Sequence, residues 1–122
     1  MAEAEKVWAP ARWQAYKKHR PPPGVLWKKL VADTGAPDGE AYYHPSITEA
    51  AQREMEIDCI NEQENLFLQR GHLRRYHVEM DEIIGASGGE ETRHLYVEYL
   101  AGGEVHGRPI TQSELAGKGK QL

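Results

Sequence analysis

The stretch "RGHLRRYH" (70–77) gathers Arg70, Arg74 and Arg75 around Tyr76, with His72 and His77 beside them. On a helix, Arg70 and Arg74 share a face at i,i+4 and together could grip phosphates or acidic side chains. Nucleic acid is the less favoured partner: three arginines are a small footprint, acids crowd both sides, and the chain is acidic overall, with a formal charge of −4. Internal pairing or a protein partner is expected for this cluster. Metal binding is not expected, because His72 and His77 lie five residues apart and diverge on a helix, where ligands sit about three or four apart.

Other chemistry-bearing residues carry weaker signals. Cys59 is the only cysteine, which rules out an internal disulfide, and it falls on an apolar stripe, so it reads as a small core residue rather than a nucleophile. Glu62, Glu64, Asp81, Glu82, Glu90 and Glu91 stand in solvated-looking runs without an opposing group. Gly85, Gly88 and Gly89 do not match G-x-G-x-x-G, and "AGKGKQL" lacks the upstream glycine and the Ser or Thr of a phosphate loop. No catalytic residue, cofactor or metal is expected from these motifs, and the chain reads as non-enzymatic.

The elements that would position these residues follow from capping and periodicity. Ser46 with Glu49 fits a capping box, and "EAAQREME" supplies helix formers. Cys59, Leu66, Leu73 and Met80 then recur seven apart, with Met55, Tyr76 and Ile83 on the same side. These signals predict one long helix over about 47–84, folded back at Gly71 or laid along a partner. Residues 1–45 form a separate arm. A short helix is expected over 9–18 behind Pro10, extended backbone through "RPPPG", a short helical or extended piece at "VLWKKLV", and turns through 32–45. Over 86–122, "TRHLYVEYL" alternates His94, Tyr96 and Glu98 with Leu95, Val97 and Tyr99, and "AGG" can turn it into "EVHGRPI" as a β-hairpin over 92–110. The same residues also read as a short helix ended by glycine. "TQSELAGKGKQL" reads as a tail with one short turn.

Composition makes the core look thin: 39% of residues are hydrophobic, with one Phe beside 12 Gly and 7 Pro, below the globular norm of about 45–50%. Charge is segregated. Residues 1–30 carry Lys6, Arg12, Lys17, Lys18, Arg20, Lys28 and Lys29 against Glu3 and Glu5, a net +5, whereas 31–69 carry nine acids against Arg53, a net −8. Trp8, Trp13 and Trp27 all lie in the basic arm, where proline-broken chain is too short to bury them alone, so a partner surface is expected there. No stretch approaches the roughly 18 apolar residues of a membrane span. "MAEAEKVW" has no apolar core for a secretory leader and its glutamates count against a mitochondrial presequence, so a cytoplasmic or cytoskeletal location is expected.

Arg70, Leu73, Tyr76, Glu79 and Met80, followed by Gly85, follow a pattern similar to R-x-x-x-L/R-x-x-x-Y-x-x-E-L. With the Trp- and Pro-bearing arm, the chain resembles the small cilia- and flagella-associated proteins that decorate doublet microtubules. The resemblance covers about 30 residues, roughly 55–85. It implies a structural role in the axoneme, binding tubulin and neighbouring proteins, with acidic tubulin suiting Lys17, Lys18, Arg20, Lys28 and Lys29. Trp8, Trp13, Lys17, Lys18, Arg20, Trp27, Arg70, Arg74, Arg75 and Tyr76 are the expected partner contacts. The expected fold is mainly α and extended. Its alternatives are a compact α+β binding module, with the 92–110 hairpin packed on a helical hairpin broken at Gly71, and a small subunit of another large particle such as a virion connector or ribosome-associated protein.

Overall fold

In the computed structural model, which describes residues 8–14 and 17–121, the segment bearing the arginine cluster turns back at Gly71 as strand, not helix. Leu66–Arg70 (β3) and Leu73–Glu79 (β4) pair antiparallel, with Arg70 opposite Leu73 and residues 71 and 72 as the turn. Gly71 takes φ +59°. A two-residue turn with glycine first has a twist that matches its flanking strands, which explains a glycine that would only weaken a helix. Tyr76, Val78 and Met80 alternate with His77 and Glu79, the period of two that belongs to a half-buried strand.

The fold is therefore α+β, not mainly α and extended, and the long helix over 47–84 does not form. Its N-terminal third does, as Glu49–Asn61 (α2), capped by Thr48, whose side chain accepts from Ala51 N at 3.1 Å, rather than by Ser46. Beyond α2, Glu62 is extended, residues 63–65 make a 3-10 turn, and Asn65 Nδ2 donates to Cys59 O at 3.1 Å. The heptad stripe is not a coiled coil: Cys59 lies on α2, Leu66 on β3, Leu73 on β4 and Met80 just past it. Sheet partners elsewhere in the chain outweigh helical spacing in such a segment. The residues that carry the axonemal resemblance, Arg70 to Gly85, likewise lie on strands and loops rather than on one helical face.

His94–Leu100 (β7) and Glu104–Ile110 (β8) form the hairpin expected over 92–110, closed through residues 101–103. With Arg12–Trp13 (β1) the five-stranded sheet runs β1-β8-β7-β4-β3, antiparallel except for β1 beside β8. The arm thus enters the sheet instead of making a helix over 9–18, of which residues 15 and 16 lie outside the described residues. Tyr99 Oη donates to Ala9 O at 2.6 Å and Arg12 N to Gly103 O at 2.7 Å. Lys17–His19 is a 3-10 turn. Tyr42–Tyr43 (β2), Gly85–Ser87 (β5) and Glu90–Thr92 (β6) make a second sheet in the order β2-β5-β6, alongside Trp27–Thr34 (α1) and β8. Gln112–Gly117 (α3), expected as a tail, is fixed by a capping box between Thr111 and Glu114 and by the buried Leu115.

The main core lies between α2 and one face of the large sheet, where Tyr43, Cys59, Tyr76, Leu95, Val97 and Val105 are buried together. On the opposite face His77 is buried with its Nε2 2.9 Å from His94 Nδ1. Burial, with Lys120 and His94 nearby, lowers its pKa to about 4. An unfolded histidine titrates near about 6.5, so between those values the unfolded chain binds more protons. The stability His77 confers is present above about pH 6.5 and is lost as the pH falls toward about 4, and buried His19 acts in the same direction. We expect the urea midpoint to fall across that window and the fall to be shallower in His77→Phe; an identical slope in the variant counts against this account.

Candidate functional site: the polar face of the large sheet

Residues directly opposite each other in an antiparallel pair share a face. Register places Arg75, Glu98 and His106 in one row across β4, β7 and β8, and His77, Tyr96 and Arg108 in the next. The intervening Tyr76, Val97 and Gly107 turn toward α2. Six polar or aromatic side chains therefore form a grid on the face away from the main core.

Chain from both ends covers the grid. The 3-10 turn brings Lys18 and His19, whose Nδ1 is 2.8 Å from Ala41 O, and the segment after α3 brings Lys118, whose carbonyl accepts from Arg75 Nη1 at 2.7 Å. Between them lies a cavity of about 170 Å³ bordered by Lys18, His19, Glu98, His106, Arg108 and Lys118. A second, of about 230 Å³, shares Lys18, His19 and Arg108 and adds Glu40, Ser87 and Glu114. Arg108 Cζ and Lys118 Nζ lie 5.9 and 5.5 Å from the Tyr96 ring centre, within cation–π range.

Each charged group is held by a neighbour. Tyr96 Oη donates to Glu98 Oε2, and Arg75 Nε stands 4.0 Å from the same oxygen. Burial, then the Glu98 hydrogen bond, raises the Tyr96 phenol well above its usual value, so it stays a donor. Glu114 Oε1 accepts from Ser87 Oγ at 2.7 Å and Thr111 N at 2.9 Å and lies 3.8 Å from Arg108 Nη1. Burial pushes the Glu114 carboxyl up, but Thr111, Ser87 and Arg108 outweigh it and hold the pKa below the usual value.

Among the described residues Glu56 is the most deeply buried acid, yet it does not line these cavities. It is 1% exposed and accepts from Tyr43 Oη at 2.5 Å, Trp13 Nε1 at 2.8 Å and Gln52 Nε2 at 3.1 Å. Gln52 Oε1 in turn accepts from Arg20 Nη1 at 3.0 Å. Burial raises the Glu56 pKa against those donors. Closed on every side, the network ties the arm, β2 and α2 together.

A third cavity, of about 380 Å³, runs between α2 and β4 and is lined by Met55, Cys59, Val78 and Met80. Burial raises the Cys59 thiol to about 12, which favours the neutral thiol over the reactive thiolate. Among the described residues no group of three or more His, Cys, Asp or Glu is placed to hold a metal ion, and no helix is long and apolar enough to cross a membrane.

Of the expected partner contacts, only Lys18 borders the polar cavities, with Arg75 in the adjoining grid row. The tryptophans pack against the chain itself. Trp8 stands edge-on to Tyr99 with the Arg74 guanidinium 4.0 Å above its ring, Trp13 reaches Glu56, and Trp27 donates to Glu91 at 2.9 Å beside His44. Arg20 is tied to Gln52, Tyr76 is a core residue at 2% exposure, and Lys17 and Arg70 are exposed. His19, Glu98, His106, Arg108 and Lys118 were not singled out from sequence. The alternation in "HLYVEYL" and "EVHGRPI" holds the signal, since aligning that hairpin sets Tyr96 and Glu98 opposite Arg108 and His106. Comparison with protein-family models, curated proteins and solved structures finds no match to this chain.

Proposed function

We propose that the polar face of the large sheet binds a phosphate-bearing ligand. The observation that carries this reading is that Lys18, from near the start of an acidic chain, and Arg108 and Lys118, from near its end, border one cavity together with His19 and His106. Glu40 Oε2 lies 4.0 Å from Lys18 Nζ and Glu114 Oε1 3.8 Å from Arg108 Nη1, both beyond hydrogen-bond distance. Arginine supplies a planar fork suited to phosphate oxygens and lysine a mobile point charge. Strand β8 and the capped α3 hold Arg108 and its Glu114 partner on regular structure, which lowers the ordering cost of binding.

Inorganic pyrophosphate titrated into the purified chain by calorimetry tests this. Binding is expected, with Arg108→Ala weakening it roughly 10- to 100-fold, the equivalent of one charge-assisted hydrogen bond of about 1.5–3 kcal/mol. Absence of pyrophosphate binding, or equal affinity in Arg108→Ala, overturns the reading.

A further inference from the structure

Resting on that phosphate site, we propose that the same face cleaves RNA, using the 2′-hydroxyl of the substrate as the nucleophile. Glu98 and His106 are directly opposed on β7 and β8, which puts their Cβ atoms about 4.5–5.5 Å apart. Their side chains are 28% and 25% exposed and border the same cavity as Arg108 and Lys118. A carboxylate and an imidazole flanking a cationic pocket are what general acid–base transfer at a phosphodiester requires.

Among the described residues no hydroxyl or thiol is exposed there to attack. Tyr96 is 3% exposed and its hydroxyl donates to Glu98; Ser87 is 3% exposed and its hydroxyl donates to Glu114. Cys59 lies on the other side of the sheet, in the core with α2. The attacking oxygen then comes from water or from the substrate, and a ribonucleotide carries one next to its own phosphate, held where no water molecule has to be ordered.

In the reaction, Glu98 takes the 2′-hydroxyl proton as the 2′-oxygen bonds to phosphorus. The bond from phosphorus to the 5′-oxygen breaks, and His106, as the general acid, gives a proton to that departing oxygen. The products are a strand ending in a 2′,3′-cyclic phosphate and a strand beginning with a 5′-hydroxyl. Glu98 then releases its proton to water and His106 regains one, so the site returns to its starting state. Arg108 and Lys118 neutralise the non-bridging oxygens. Tyr96 is a positioning residue that holds Glu98 Oε2, with Arg75 Nε 4.0 Å from the same oxygen.

The test incubates the full chain with a short end-labelled single-stranded RNA and with DNA of the same sequence, resolving products by denaturing gel and mass spectrometry. RNA is expected to be cut to cyclic-phosphate ends and DNA to stay intact. Glu98→Gln and His106→Gln, each checked by circular dichroism for native folding, are expected to slow cleavage by about 10² or more. Cleavage of DNA at a similar rate overturns the 2′-hydroxyl assignment, and wild-type rates in either natively folded variant overturn the acid–base pair. Pyrophosphate binding with RNA left whole sinks the cleavage proposal and leaves the phosphate site standing, whereas absence of both binding and cleavage removes the two together.

Discussion

Replacing Glu56 with alanine is expected to lower the free energy of unfolding by about 3–5 kcal/mol, the cost of breaking a buried polar network from one side. The change leaves Tyr43 Oη, Trp13 Nε1 and Gln52 Nε2 as donors without an acceptor in a region shut off from water. It also cuts the direct links from β1 and β2 to α2. Glu56→Gln keeps the shape and one acceptor oxygen, and should cost less, about 1–3 kcal/mol. The pH dependence has its own sign. Burial raises the folded-state pKa of Glu56, so the folded chain binds more protons over the window above the usual carboxylate value of about 4.3. The contribution of Glu56 is present below that value and is lost as the pH rises through the raised pKa, opposite to the effect of His77. Urea unfolding across pH measures both, and a loss below about 1 kcal/mol in Glu56→Ala would falsify the bracing role.

Gly85→Ala should be comparably damaging, costing about 3 kcal/mol or more, at or beyond the top of the usual range for overpacking. A Cβ there would come closer than 3.0 Å to Tyr42 O and to Pro109 Cγ, and to 3.0 Å from the Tyr43 Cα. Two of those atoms are backbone of the paired strand β2 and the third is a proline ring in β8, so relief requires moving a strand. Moving β2 displaces Tyr43, which is fully buried and donates to Glu56, so the damage spreads to the network. Gly102→Ala, where a Cβ meets nothing within 4 Å, is the control and should change stability by less than about 0.5 kcal/mol. Equal midpoints for the two variants in thermal or urea unfolding would contradict this packing.

The parts of the fold legible in sequence were those with local causes. The 92–110 hairpin could be read because its alternation and its glycine turn lie within twenty residues, and the start of α2 because a hydroxyl residue precedes good helix formers. The 66–80 segment misled because leucines seven apart satisfy a heptad, while the glycine-first turn and the alternation of Tyr76, Val78 and Met80 identify it as strand. The inward face of α2 gives a weak apolar pattern, since its fully buried residues are Gln52, Glu56 and Cys59, and two of those three are polar.

The candidate site was less legible. Helical spacing within 70–77 relates only neighbours in one segment, whereas the grid joins residues from β4, β7 and β8 through strand register. Lys18 and Arg108 border one cavity from ninety positions apart, and Trp13 reaches Glu56 across forty-three.

By itself, then, the sequence determined the charge asymmetry, the lone cysteine, the helix start near residue 48 and the hairpin near the C-terminus. Only the tertiary structure decided that the central segment is strand, that the tryptophans close on their own chain, and that cations, carboxylate and imidazole meet on one face. The physical reason is that caps and turns act over a few residues, whereas strand pairing and the satisfaction of buried polar groups depend on partners distant in the chain.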